Sequence, residues 1–268
     1  MTSRTRKSAR AKVRRAHEKS DTEEQVRTQG AATRKAVDRV ESLKKRTGVG
    51  RFLFENGLTL VMLSLFVLSF VGQILAGRAA HNAEQEEHGQ PTLSVREYVA
   101  SPDFLEASAE NWESEFLQMG LFVLLSVFLY QRGSSESKRI EEPEPVDQDP
   151  RDAADNPQSP WPVRRGRLAL AVYEHSLTIA LLVLFAGAFA LHAIQGAAAH
   201  NEEQLVHGGE VISTSAYLAT GQFWFESFQN WQSEFLAIAV LGLLSIWLRE
   251  RGSPQSKPVA APHDETGE

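Results

Sequence analysis

"GLTLVMLSLFVLSFVGQILAG", residues 57–77, runs for 21 positions without an acid, Lys or Arg. About 20 such residues, rising 1.5 Å each as a helix, cross a hydrocarbon layer of ~30 Å. A second run, "SLTIALLVLFAGAFALHAIQG" at 176–196, starts 119 positions later. Each is followed by a shorter apolar stretch, "FLQMGLFVLLSVFLY" at 116–130 and "FLAIAVLGLLSIWL" at 235–248. These two lie near or below the length needed for a span, and a buried soluble helix is the competing reading.

The offset of 119 decides between them. "ENWESEFL" at 110–117 returns as "QNWQSEFL" at 229–236, and the same offset relates His81 to His200, His88 to His207 and Tyr98 to Tyr217 without an insertion from Glu55/Glu174 to Lys138/Lys257. The chain is two tandem copies of one unit. If each copy opens with a span, its second apolar stretch must bring the chain back before the next copy begins. The expected fold is therefore all-α: an integral membrane four-helix bundle built from two tandem parallel helical hairpins.

Lys and Arg orient it. They are dense before residue 52 and recur between the copies as Arg132, Lys138, Arg139, Arg151, Arg164, Arg165 and Arg167, whereas the connection at 197–234 has none. Positive loops stay in the cytoplasm. Both termini are expected there, in a multi-pass protein of the inner (plasma) membrane. The domain reading is a basic cytoplasmic tail at 1–50, disordered or partly helical; a two-span repeat at 51–138; a disordered acidic, Pro-rich linker at 139–165; a second repeat at 166–257; and a cytoplasmic tail at 258–268. The first apolar run begins too far in for an ordinary signal peptide and is expected to act as the insertion signal itself. With no cysteine among 268 residues, disulfides, thiolate metal sites and Cys nucleophiles are excluded.

Polar residues shared by the copies cluster outside the apolar runs. "HNAEQEEHG" at 81–89 and "HNEEQLVHG" at 200–208 place His81, Glu84 and His88, and likewise His200, Glu203 and His207, at offsets 0, 3 and 7. That spacing is one face of a helix. Gly89 and Gly208 follow, a residue type that ends helices. The returning helix carries a second stripe, Asn111 and Glu115 with Asn230 and Glu234, and opens at Ser101-Pro102-Asp103 with an N-cap, a first-turn proline and an acid.

Three functions fit these stripes. In the first they are interhelical hydrogen bonds with a structural or interaction role. In the second the six His and Glu residues bind a divalent metal, although neither HExxH nor the Glu-x-x-His order of ferritin-like sites is present. The third is a small transporter, which the lack of ionisable residues at the centres of the runs disfavours. No catalytic triad, phosphate loop or nucleotide fingerprint points to an enzyme. The partners admitted are the lipid bilayer, anionic lipid for the basic tail and further copies of the chain.

The paired "HNxEQxxHG", the "NWxSEFL" motif and the exits "RGSSESK" at 132–138 and "RGSPQSK" at 251–257 resemble an uncharacterised bacterial family of four-span membrane proteins, known only as domain of unknown function 6766. The resemblance covers roughly residues 50–262. It implies the topology and no activity.

Overall fold

The computed structural model describes Arg34 and residues 47–267. The expectations for the basic tail, its partial helicity and its contact with anionic lipid, fall on residues outside the described ones. The chain divides into two compact units, Met1–Gln73 and Ile74–Glu268.

In the first unit, a short helix α1 (Gly48–Glu55) carries an Arg51–Glu55 ion pair of 2.6 Å at i,i+4 spacing and stops at Asn56, whose φ of −115° is not helical. Helix α2 (Gly57–Glu87) starts directly after it and, from Ile74 on, belongs to the second unit. No residue of α2 is buried, and Leu58 and Leu68 are 74% and 68% exposed. A helix apolar all round has no solvent-facing side to offer; lipid is the surrounding that suits it. Ser64 returns its hydroxyl to Leu60 O at 2.7 Å, so even this polar group is satisfied within the helix.

The second unit contains α3 (Val95–Val99), α4 (Pro102–Leu125), α5 (Trp161–Arg165), α6 (Arg167–Glu174), α7 (Ser176–His207), α8 (Thr214–Tyr217) and α9 (Gly221–Trp247). Between α4 and α5 lie two 3-10 turns, Pro145–Asp147 and Pro150–Ala153. Every regular element among the described residues is helical. Two of them, α2 and α7, are long and apolar enough to cross a membrane. The returning helices end early: α4 stops at Leu125 and α9 at Trp247, short of the exits expected near Arg132 and Arg251. Only residues 116–125 and 235–247 remain as apolar helix, about 15 and 20 Å at 1.5 Å per residue.

Small side chains let α4 and α7 lie close together. Ala109 on α4 and Ala188, Ala193 and Ala197 on α7 are buried, and a Cβ added at Gly120 would stand 3.3 Å from Leu182 Cδ2. Close backbone approach of this kind is how helices associate without a hydrophobic drive from water. Helix α9 packs on α4, and ring contacts join it to α7: Phe185 with Trp231 at 6.3 Å and Phe189 with Phe223 at 5.3 Å between centroids.

Positions 119 apart build the same corner beyond the apolar runs. Helices α2 and α7 run on past their apolar parts to Glu87 and His207, and Gly89 and Gly208 follow with φ of +67° and +73°. Asn82 then grips the backbone of Leu93, accepting from its N–H at 2.8 Å and donating to its C=O at 3.0 Å. Asn201 does the same to Ile212, at 2.8 and 2.9 Å. Each clip turns the chain back into a short helix, α3 or α8, capped by Ser94 or Ser213. Their tyrosines, Tyr98 and Tyr217, press on Gly77 and Gly196, where an added Cβ would come within 3.0 Å of the phenol. Ser101 and Thr220 then cap α4 and α9.

At the other end, Lys257 is 1% exposed and donates to the carbonyls of Pro262, His263 and Glu265 at 3.1, 2.9 and 2.7 Å. Three carbonyl acceptors match the three ammonium hydrogens.

Candidate functional site

Between the two corners is a cavity of about 610 Å³. All six residues of the His/Glu stripes, His81, Glu84, His88, His200, Glu203 and His207, line it. Their neighbours in the wall include Asp103, Glu106, Glu202 and Glu226. The described lining thus has six carboxyl groups and four imidazoles, and no Lys or Arg. Such a concave wall holds a negative potential and concentrates cations.

Of the four stripe histidines, His88 and His207 are exposed and His81 and His200 half-buried. His88 and His207, 119 positions apart, meet edge to face with centroids 5.6 Å apart. His81 Nδ1 lies 2.6 Å from Asp103 Oδ2, while His200 stands over the Tyr217 ring at 5.8 Å. Glu84 and Glu203 are exposed. The second stripe is less united. Asn230 donates to Glu110 on α4, but Asn111 donates to Ala107 O of its own helix at 2.8 Å. Glu115 is exposed and Glu234 half-buried.

Glu106 and Glu226 in the cavity wall lead to a buried polar network whose carboxyl and imidazole groups the repeat pattern does not single out. His192, on the last turns of the apolar run of α7, is fully buried. Its Nδ1 lies 3.0 Å from Glu113 Oε2 and its Nε2 lies 3.4 Å from Glu226 Oε2. Phe223 stacks on the imidazole at 4.6 Å and fixes the ring plane. Glu113, itself fully buried, receives the Trp231 indole N–H on Oε1 at 3.1 Å. Charged groups so placed are tolerated only when partnered.

Tyr217 occupies the centre. Its hydroxyl donates to Glu226 Oε2 at 2.8 Å and stands 3.1 Å from Glu106 Oε1. One hydroxyl has one hydrogen. Two facing carboxylates therefore share a single donor, and the site favours a proton or another cation between them. Hydrogen bonds from Tyr217 and Gln222, with His192 Nε2 at 3.4 Å, satisfy the Glu226 carboxylate. Burial, followed by the hydrogen bond to Glu226, drives the Tyr217 phenol upward, so it remains a donor.

Among the described residues, Glu106, His192 and Glu226 are the metal-capable groups whose ligand atoms all lie within 4.8 Å of one another. Their counterparts 119 positions away are Phe225, Gln73 and Ala107. A comparison of the copies for what they share passes over this cluster. Two other signals mark it: Glu106, Glu110 and Glu113 follow helical spacing on α4, and His192 is an ionisable residue inside an apolar run.

The chain belongs to the family described as "Domain of unknown function (DUF6766)", whose model matches residues 49–268. No curated protein and no solved structure matches it.

Proposed function

We propose that this member of the family is an integral membrane protein with four spans and cytoplasmic termini, and that its two outer corners form a cation-binding chamber on the opposite face. The observation that carries the reading is the chamber wall: six carboxyl groups, four imidazoles and no Lys or Arg among its described residues. Helices α2 and α7 supply two spans on length and composition. The orientation of the second copy supports α4 and α9 as returning spans, because both copies begin with the same basic, then apolar, order. Their short apolar ends agree with this if the polar halves are shielded by each other. Glu113 and Ser114 of α4 are buried, and Asn230 of α9 bonds to Glu110 of α4.

Because the chain has no cysteine, one introduced thiol reports on the chamber cleanly. Val206 lines the cavity, whereas Val211 is 57% exposed and is not part of its lining. In Val206→Cys, a cationic thiosulfonate should react faster than an anionic one. The ratio should be about 10-fold above that in Val211→Cys, and it should shrink as salt is added. Equal ratios at the two positions would refute a cation-concentrating chamber.

A further inference from the structure

The geometry points to a divalent transition-metal site at the chamber floor, with His192 Nε2 and one carboxylate oxygen each from Glu106 and Glu226 as ligands. This deepens the chamber reading and rests on it. Three features support an ion rather than a merely satisfied network. First, the ligand atoms converge within 4.8 Å from three different helices, α4, α7 and α9, a spacing that one ion can bridge after small side-chain movements. Second, the imidazole is held as a metal-bound histidine is held. Glu113 lies on Nδ1 at 3.0 Å, Trp231 anchors the other oxygen of Glu113, and Phe223 stacks on the ring, so Nε2 is directed at Glu226. A carboxylate on the distal nitrogen fixes the tautomer and makes the ligating nitrogen more basic. Third, one of the two carboxylates has outer donors of its own, Tyr217 on Glu226 at 2.8 Å and Gln222 on Glu226 at 2.5 Å, as a ligating carboxylate does.

The competing occupant is a proton, with His192 as an imidazolium between Glu113 and Glu226. That arrangement sets one positive charge against Glu106, Glu113 and Glu226, with no Lys or Arg in the described chamber wall to help. A divalent ion offsets two. One nitrogen and two oxygen donors without sulfur select Zn²⁺, Mn²⁺, Fe²⁺ or Co²⁺ over the soft ions that need thiolates. Glu106 and Glu226 line the cavity while His192 lies behind them, so an ion reaches the site from the chamber and keeps a face open to it. Three protein ligands with an open position resemble zinc sites that exchange their fourth ligand, not closed structural ones.

The test uses the full chain in detergent, stripped with a chelator and titrated with Co²⁺ and Zn²⁺. One ion per chain is expected, and X-ray absorption of the Zn²⁺ form should show imidazole and oxygen neighbours. Glu113→Gln, which acts through His192, should weaken binding about 10- to 100-fold. Glu106→Gln and Glu226→Gln should weaken it further, with unchanged helicity. His88→Ala combined with His207→Ala, both at exposed positions, should leave the stoichiometry at one. A zinc spectrum without imidazole, measured on the unaltered chain, overturns the site even if a variant misfolds. Binding that survives both Glu→Gln changes and disappears in the double His→Ala variant also overturns it. Absence of any bound ion alongside an intact preference for the cationic thiol reagent rejects the metal site and leaves the chamber. Loss of that preference rejects the chamber itself.

Discussion

Gly196→Ala is expected to destabilise the outer corner although alanine is the better helix former. An ideal Cβ at this position stands 2.7 Å from Tyr217 Cε1, 2.7 Å from Glu106 Oε1 and 2.9 Å from the Tyr217 hydroxyl. Ordinary contact begins at about 3.5 Å between carbons, so the ring must retreat by several tenths of an ångström. It has little room to do so. Tyr217 is 1% exposed, with Phe223 at 5.7 Å and His200 at 5.8 Å between centroids. Overpacking a filled site costs about 1–3 kcal/mol, and retreat also weakens the 2.8 Å bond to Glu226. The helix preference for Ala over Gly returns at most ~1 kcal/mol. Gly187→Ala, in the same helix with nothing within 4 Å of the added methyl, isolates that preference. Thermal unfolding in detergent, followed by helical circular dichroism, should place Gly196→Ala several degrees below Gly187→Ala, since 1 kcal/mol moves the midpoint of a chain this size by ~2–4 °C. If Gly196→Ala melts at or above Gly187→Ala, the close Tyr217–Gly196 contact does not exist as described.

A further outcome follows from the corners. Asn201→Ala removes both bonds to the half-buried Ile212 backbone and should cost about 1–3 kcal/mol in the same melting assay, with Asn82→Ala behaving alike because Asn82 holds Leu93 in the same way. Equal melting of either variant and the unaltered chain would contradict the clips.

The helices that carry a chemical signature are legible in the sequence. The two long apolar runs predict α2 and α7, the glycines after the His stripes predict their ends, and Ser101-Pro102-Asp103 predicts the start of α4. The corner between them is not legible. Asn82 and Asn201 act on backbone groups 11 positions away, and a side chain that grips backbone leaves no periodic trace. The early ends of α4 and α9 are not legible either, because the apolar pattern continues past them through Val127 and Leu248 with no Gly or Pro to mark the stop. The floor shows a different difficulty. His81, Glu84 and His88 stand out through repetition and line the cavity, whereas Glu106, His192 and Glu226 are matched by Phe225, Gln73 and Ala107 in the other copy. A site assembled from the differences between two copies is invisible to a search for their agreement.

The central claim is the sidedness of the chamber, and single cysteines in this cysteine-free chain test it directly. Gln90→Cys and Glu210→Cys sit in the outer corners, Asp155→Cys in the connection between the copies and Val259→Cys beyond the last helix, all at exposed positions. With a membrane-impermeant maleimide on intact cells, positions 90 and 210 should label at once and positions 155 and 259 only after permeabilisation. Labelling of 155 or 259 in intact cells, or of 90 and 210 on opposite sides of the membrane, would contradict four spans and an outward chamber.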